Sequence, residues 1–167
     1  VVRLDRLRGC AADGVVGAYE ETAINVKWRK GPGMELFNAI EKALGPVPLI
    51  AEDLGVQTEE VKKLLEESGF PGMRVLIFGF TPDYDNEHLP HNYKPNSIVY
   101  TSTHDSQTVF EQIMDTCSEP EKQFAYRSLR TSHAEPMGWS ATQCVWASQA
   151  TIALTTLQEP PSLRPAS

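Results

Sequence analysis

Apolar and polar positions along the chain follow two periods. Short apolar runs bounded by turn residues predict buried strands at residues 1–4, 48–51, 73–80, 98–101 and 151–157. Between them, apolar residues recur at helical spacing. Met34, Leu36, Phe37, Ile40, Ala43 and Leu44 form one such face, closed by Gly45. Val61, Leu64 and Leu65 form another, opened by Thr58 with Glu59 and Glu60 in the first turn and closed by Gly69. Ser118, with Glu121 three residues on, reads as a capping box for a helix reaching Leu129, and residues 139–150 suit a further helix. Residues 9–33 carry the turn signals Asp13-Gly14 and Gly31-Pro32-Gly33 and read as one long irregular loop. Residues 81–97 read as a polar, proline-rich loop, and the Pro/Ser tail at 160–167 as disordered. Strands alternating with helices form the βα repeat of a parallel α/β protein.

Composition narrows the class. The chain has 167 residues, 41% of them hydrophobic, which suits a globular fold. Lys plus Arg is 15 and Asp plus Glu is 22, a formal net charge of −7. That balance gives no electrostatic footprint for nucleic acid or an anionic membrane. No run of about 18 apolar residues is present, so no membrane span is expected, and no signal-peptide pattern is visible. Cys10, Cys117 and Cys144 are odd in number and lack C-x-x-C spacing. Neither a disulfide framework nor a zinc site is expected, and a reducing cytoplasm is the expected compartment.

Three carboxylates lie at or beyond predicted strand ends. Asp5 follows Val1-Val2-Arg3-Leu4, Glu52 follows Leu49-Ile50-Ala51, and Asp105 follows the strand ending near Thr101. In a barrel of parallel strands, residues just past the strand C-termini converge on one mouth. A retaining glycosidic mechanism needs one carboxylate as nucleophile and one as acid/base, about 5–5.5 Å apart. A third acid can stabilise positive charge in an oxocarbenium-like transition state. Arg3 lies two residues before Asp5, on the same face of the strand, where it can orient that carboxylate and keep it ionised. Metal- and phosphate-handling α/β enzymes place acids similarly, so spacing leaves both readings open. Asp53 reads as a cap or supporting group beside Glu52.

Four ordered blocks are more specific. They are Leu49-Ile50-Ala51-Glu52-Asp53-Leu54-Gly55, Gly69-Phe70-Pro71-Gly72-Met73-Arg74-Val75-Leu76, His88-Leu89-Pro90-His91-Asn92-Tyr93 and Val99-Tyr100-Thr101-Ser102-Thr103-His104-Asp105. Together they resemble the 4-alpha-glucanotransferases (amylomaltase, or disproportionating enzyme) of glycoside hydrolase family 77. Arg3-Leu4-Asp5-Arg6-Leu7-Arg8-Gly9 resembles that family's R-I-D-H-F-R-G, and Trp28 with Lys30-Gly31-Pro32-Gly33 resembles the segment after it. The resemblance covers residues 1–159. It implies a (β/α)8 TIM barrel that cleaves an α-1,4-glucan or malto-oligosaccharide donor. The chain passes through a glucosyl-enzyme ester to the 4-hydroxyl of a sugar acceptor. By the same resemblance Asp5 is the nucleophile, Glu52 the acid/base and Asp105 the transition-state stabiliser, with Arg3 and His104 binding substrate. No metal and no cofactor are implied.

Some positions depart from the family pattern. Arg6 and Leu7 stand where the motif has His and Phe, which puts a second cation beside Asp5, and Ser106 stands where the family usually has Asn. Residues 10–20 fit poorly. His88, His91, Asn92 and Tyr93 either touch glucan or order their loop, and Trp28 either stacks on a sugar or packs. The family chain is about three times longer. Matching its order makes residues 1–159 an incomplete barrel domain holding strands four to eight, the C-terminal part of the catalytic barrel. Such a piece alone is expected to be aggregation-prone and inactive. An α-amylase-like hydrolase and a non-catalytic remnant are the alternatives.

Overall fold

The computed structural model describes residues 1–16, 19, 22, 26–55, 57–131 and 137–159. The tail read as disordered, 160–167, lies outside them. The chain forms an α/β fold of two compact units, Val1–Met73 and Arg74–Ser167. Strand β5, Gly72–Val75, carries the chain from one into the other.

In the first unit, β1 (Val2–Leu4) leads into a short helix α1 (Leu7–Ala11), then β2 (Ala12–Val15) and β3 (Lys27–Lys30). Helix α2 (Met34–Leu44), strand β4 (Leu49–Ala51) and helix α3 (Glu59–Ser68) follow. Strands β1 and β4 pair in parallel, with Val2 opposite Leu49, Arg3 opposite Ile50 and Leu4 opposite Ala51. Strand β4 pairs β5 in parallel through Ala51 and Gly72. The helical faces read from spacing are the ones that pack. Leu7, Phe37, Ala51, Val61 and Leu64 form the core, flanked by Ile40, Leu65 and Phe70. Phe37 and Phe70 meet edge to face, 5.0 Å between ring centres. Gly69 closes α3 in the left-handed region, φ 67°.

The segment read as one irregular loop, 9–33, is more ordered than its turn signals imply. It contains part of α1 and an antiparallel pair, β2 with β3, in which Gly14 faces Trp28. All four residues of β3, Lys27-Trp28-Arg29-Lys30, are exposed, so there is no buried face to leave a period-two pattern. The Gly-Pro-Gly turn then docks its backbone on the end of α1. Gly31 N–H donates to Ala11 O at 2.9 Å and Gly33 N–H to Cys10 O at 2.8 Å.

In the second unit, β5 is shorter than the predicted 73–80 strand. The chain turns at Leu76–Gly79 into a 3-10 helix. Val75 N–H donates to His88 Nδ1 at 3.1 Å rather than to a strand. Strand β6 (Ser97–Tyr100) precedes α4 (Val109–Glu111), a π turn at Gln112–Thr116, helix α5 (Glu119–Leu129), helix α6 (Met137–Trp146) and strand β7 (Ile152–Leu154). Strands β6 and β7 pair in parallel, with Val99 opposite Ala153. The Ser118–Glu121 capping box opens α5 as read, and a second box, Thr108 with Glu111, opens α4, which the spacing did not mark. Helix α6 starts and ends earlier than the predicted 139–150. Its Gly138 has no room for a side chain, since a Cβ there would lie 2.0 Å from Glu159 O.

The loop at 81–97 is cross-tied. Asn92 Nδ2 donates to Tyr84 O and Asn86 O, at 2.7 and 2.9 Å. Buried Tyr93 donates its hydroxyl to His88 O at 3.0 Å, and burial pushes that phenol above its ordinary range. The His91 ring bonds Tyr84 O at 2.9 Å. Buried Arg74 pairs with Glu87 at 2.8 Å. His88, His91, Asn92 and Tyr93 therefore all order this loop.

Two substitutions test these contacts. A Cβ at Gly31 would sit 2.3 Å from Cys10 O, a backbone atom that cannot swing aside. Gly31→Ala is expected to cost about 1–3 kcal/mol, read as a lower urea midpoint. Buried Asp53 accepts from Met73 N–H at 2.7 Å and from the Gln57 amide at 3.1 Å, joining the end of β4 to β5. Asp53→Ala is expected to lose about 1.5–3 kcal/mol in the same measurement.

Candidate active site

The parallel register of β1 and β4 places the first two acids. Leu4 and Ala51 are opposite each other, and Asp5 and Glu52 are the first residues past the ends of the two strands. Backbone bonds carry the pairing past the strand ends. Glu52 N–H donates to Leu4 O at 2.9 Å, and Leu7 N–H donates to Glu52 O at 3.0 Å. The Glu52 peptide is thus held on both sides of the Asp5–Arg6 step.

Arg3 is the cation of this cluster. Its Nε donates to Asp5 Oδ1 at 2.6 Å and its Nη2 to Asp5 Oδ2 at 3.2 Å, a two-pronged pair. The same Nε lies 3.8 Å from Glu52 Oε2. One guanidinium therefore faces both carboxylates. The Asp5 side chain is 58% exposed and that of Glu52 is 24% exposed, so the two acids sit in different surroundings.

Arg6 leaves Arg3 in place. Its own backbone is left-handed, φ 58° and ψ 57°, uncommon for a non-glycine residue. That turn ends β1 and swings Leu7 fully into the core. Arg8 stacks its guanidinium 4.5 Å over the Trp28 ring, so Trp28 is partnered, though still 56% exposed. A cleft of about 840 Å³ lies beside this pair, lined also by Lys30, Met34 and Lys63 but not by Arg3, Asp5 or Glu52.

The remaining predicted residues belong to the second unit. His104 Nε2 and Asp105 Oδ2 are 3.1 Å apart, both exposed. Ser106 shapes their turn. Its Oγ accepts from Thr103 N–H at 2.8 Å and donates to Thr103 O at 3.0 Å. Sequence reasoning did not single out Glu159, a buried carboxylate bonded to Ser102 and Val109 on either side of that turn. A Glu before a proline carries no burial signal in a sequence.

Chemically, the first cluster joins two carboxylates of unequal exposure to one arginine. Such a set can hold one carboxylate ionised for attack while the other exchanges a proton. Among the described residues, no group of three or more His, Cys, Asp or Glu side chains is disposed to hold a metal ion, and no helix is long and apolar enough to cross a membrane. The thiols of Cys10, Cys117 and Cys144 are free, and burial pushes each above its ordinary range.

Comparison with known proteins agrees with the blocks noted in the sequence. A family model described as 4-alpha-glucanotransferase, of glycoside hydrolase family 77, matches residues 1–164. The 4-alpha-glucanotransferase of Clostridium butyricum is 40% identical over 159 residues, 95% of this chain and 33% of the relative. The chloroplastic/amyloplastic 4-alpha-glucanotransferase of Solanum tuberosum is 40% identical over 157 residues, 94% of this chain and 27% of the relative. Among solved structures, the amylomaltase of Streptococcus agalactiae in complex with acarbose matches with a TM-score of 0.86 and 32% identity, covering 94% of this chain and 32% of that one. The chain spans about a third of the length of such relatives. With a family model matched along nearly its whole length, it belongs to the 4-alpha-glucanotransferase family.

Proposed function

We propose that these residues form part of the catalytic barrel of a 4-alpha-glucanotransferase. Its reaction moves a segment of an α-1,4-glucan to the 4-hydroxyl of an acceptor sugar, with retention. The observation that carries the reading is Arg3 gripping Asp5 with two bonds while facing Glu52 across adjoining strand ends. The five parallel-type strands β1, β4, β5, β6 and β7 are read as strands four to eight of a (β/α)8 barrel, within a domain at 1–159. Their chain order and the likeness to a solved amylomaltase support that numbering.

The roles are those the family resemblance implies, and the surroundings of Asp5 and Glu52 support them. Asp5, ionised and oriented by Arg3, attacks the anomeric carbon and forms the glucosyl ester. Glu52, the less exposed acid, gives its proton to the departing glycosidic oxygen. It then takes the proton of the acceptor 4-hydroxyl as that oxygen displaces Asp5, so the configuration is retained over two inversions. Asp105 stabilises the positive charge at the ring as each transition state forms, and His104 beside it binds sugar hydroxyls. Transfer, rather than hydrolysis, is supported by the family to which the chain belongs.

The test joins residues 1–159 to the remainder of the Clostridium butyricum relative, in place of its matching third. Incubated with maltotriose, the joined enzyme is expected to yield longer oligosaccharides. Glucose and maltose alone would point to a hydrolase, and no turnover to a non-catalytic remnant. Asp5→Asn and Glu52→Gln are each expected to lower the rate roughly 10³- to 10⁶-fold. Full activity in either variant would overturn the assignment.

A further inference from the structure

Glu159 is a buried carboxylate that the proposed chemistry does not use. It is 1% exposed, and a charge so buried is costly unless it is hydrogen-bonded. Its bonds run to the two ends of one loop. Oε1 accepts from Ser102 Oγ at 2.8 Å and from Val109 N–H at 3.1 Å, and Oε2 lies 3.2 Å from the same Val109 nitrogen. Ser102 follows β6 closely and Val109 opens α4. The residues between them, 103–108, carry His104 and Asp105.

The carboxylate is itself well anchored. Glu159 N–H donates to Thr156 O at 3.1 Å, and Thr156 Oγ1 lies 3.2 Å from Ser102 Oγ. From the other side, Gly138 of α6 lets the Glu159 backbone approach so closely that a Cβ would meet its carbonyl oxygen at 2.0 Å. Within the loop, Ser106 N–H and Oγ both bond Thr103 O, at 3.1 and 3.0 Å, and Glu111 Oε2 accepts from Thr108 N–H at 3.0 Å. The turn bearing Asp105 is therefore internally braced, and its two ends are pinned to one buried group.

We propose that Glu159 is the positioning residue for Asp105, clamping the ends of its loop so that the exposed carboxylate keeps one place. The role rests on the transferase reading of Asp105. Asp105 has little burial of its own to hold it, its side chain being 79% exposed. A displacement near 1 Å of a reacting or stabilising group can cost about 10²-fold in rate. A loop freed at both ends permits such a displacement. A stabilising carboxylate acts only as positive charge develops, so losing its placement lowers kcat more than it alters KM.

The experiment has two arms. In the joined enzyme, amide hydrogen exchange is compared between wild type and Glu159→Met, which keeps the length of the side chain but removes both acceptor oxygens. Faster exchange confined to residues 102–109 is expected. No change there, or a uniform rise across the chain, would overturn the clamp. In the same enzyme, Glu159→Met is expected to lower kcat for maltotriose transfer roughly 10- to 100-fold with KM within about threefold. Gly138→Ala, which displaces Glu159 from the opposite side, is expected to act in the same direction. Asp105→Asn is the reference, and adding Glu159→Met to it should cause little further loss, because one residue acts through the other. Multiplying losses, or a Glu159→Met enzyme as fast as wild type beside a slow Asp105→Asn, would sink the proposal. A fully active Asp105→Asn enzyme whose loop still loosens in Glu159→Met would instead sink the transferase assignment of Asp105.

Discussion

The pairing of β1 with β4 sets the geometry of the first acid cluster. Parallel strands run their C-termini to the same side, so residues one step past paired positions emerge together. Leu4 opposite Ala51 makes Asp5 and Glu52 such a pair. A one-residue slip would send one of the two side chains to the opposite face. The bonds from Glu52 N–H to Leu4 O and from Leu7 N–H to Glu52 O resist that slip where the strands have already ended. Buried Ala51 and Leu7 resist it too, since a shift would expose them or drive polar neighbours into the core.

Two carboxylates brought together in this way repel unless something sits between them. Arg3 supplies the opposing charge, and its place on β1 is fixed by the same register. A guanidinium suits the task better than an ammonium. Its planar donors take both Asp5 oxygens at once and still leave Nε 3.8 Å from Glu52. The left-handed backbone at Arg6 belongs to the same economy of space. The chain must leave the strand at once for Leu7 to fill the core, and an αL residue makes that turn at a cost of roughly 1–2 kcal/mol for a side chain with a Cβ.

Those parts of the fold with one buried face were legible in the sequence. The faces of α2 and α3 and the capping box of α5 appear in the structure close to where spacing places them. What escaped had no buried face or carried a misleading residue. Strand β3 is exposed at every position and so has no alternation to read. Gly138 resembles a helix breaker but is required within α6 by the backbone of Glu159, far along the chain. The apolar run from Met73 onward reads as one strand. The chain turns after Val75, whose N–H donates to His88, thirteen residues later. At the candidate site, Arg3, Asp5 and Glu52 could be grouped because strand ends are local features. Glu159 could not, because its partners lie fifty and more residues away.

In each unit, a buried acid supports the backbone near a more accessible one. Asp53 adjoins Glu52 and spends its oxygens on the Met73 amide and the Gln57 side chain. Glu159 bonds Ser102 and Val109 around Asp105. A carboxylate whose oxygens are taken up by backbone bonds is held in place but is not open to other partners, and one with few bonds has no fixed place of its own. Separating the two duties resolves the conflict. The buried carboxylate gains hydrogen bonds that offset its desolvation, and the main chain it holds is the platform from which the more accessible carboxylate projects. Gly72 and Gly138 are the complementary halves of this arrangement. A Cβ at Gly72 would meet Asp53 Oδ2 at 2.8 Å, and one at Gly138 would strike the Glu159 carbonyl. Both glycines are therefore required by close approach to the supporting acids rather than by any unusual backbone angle.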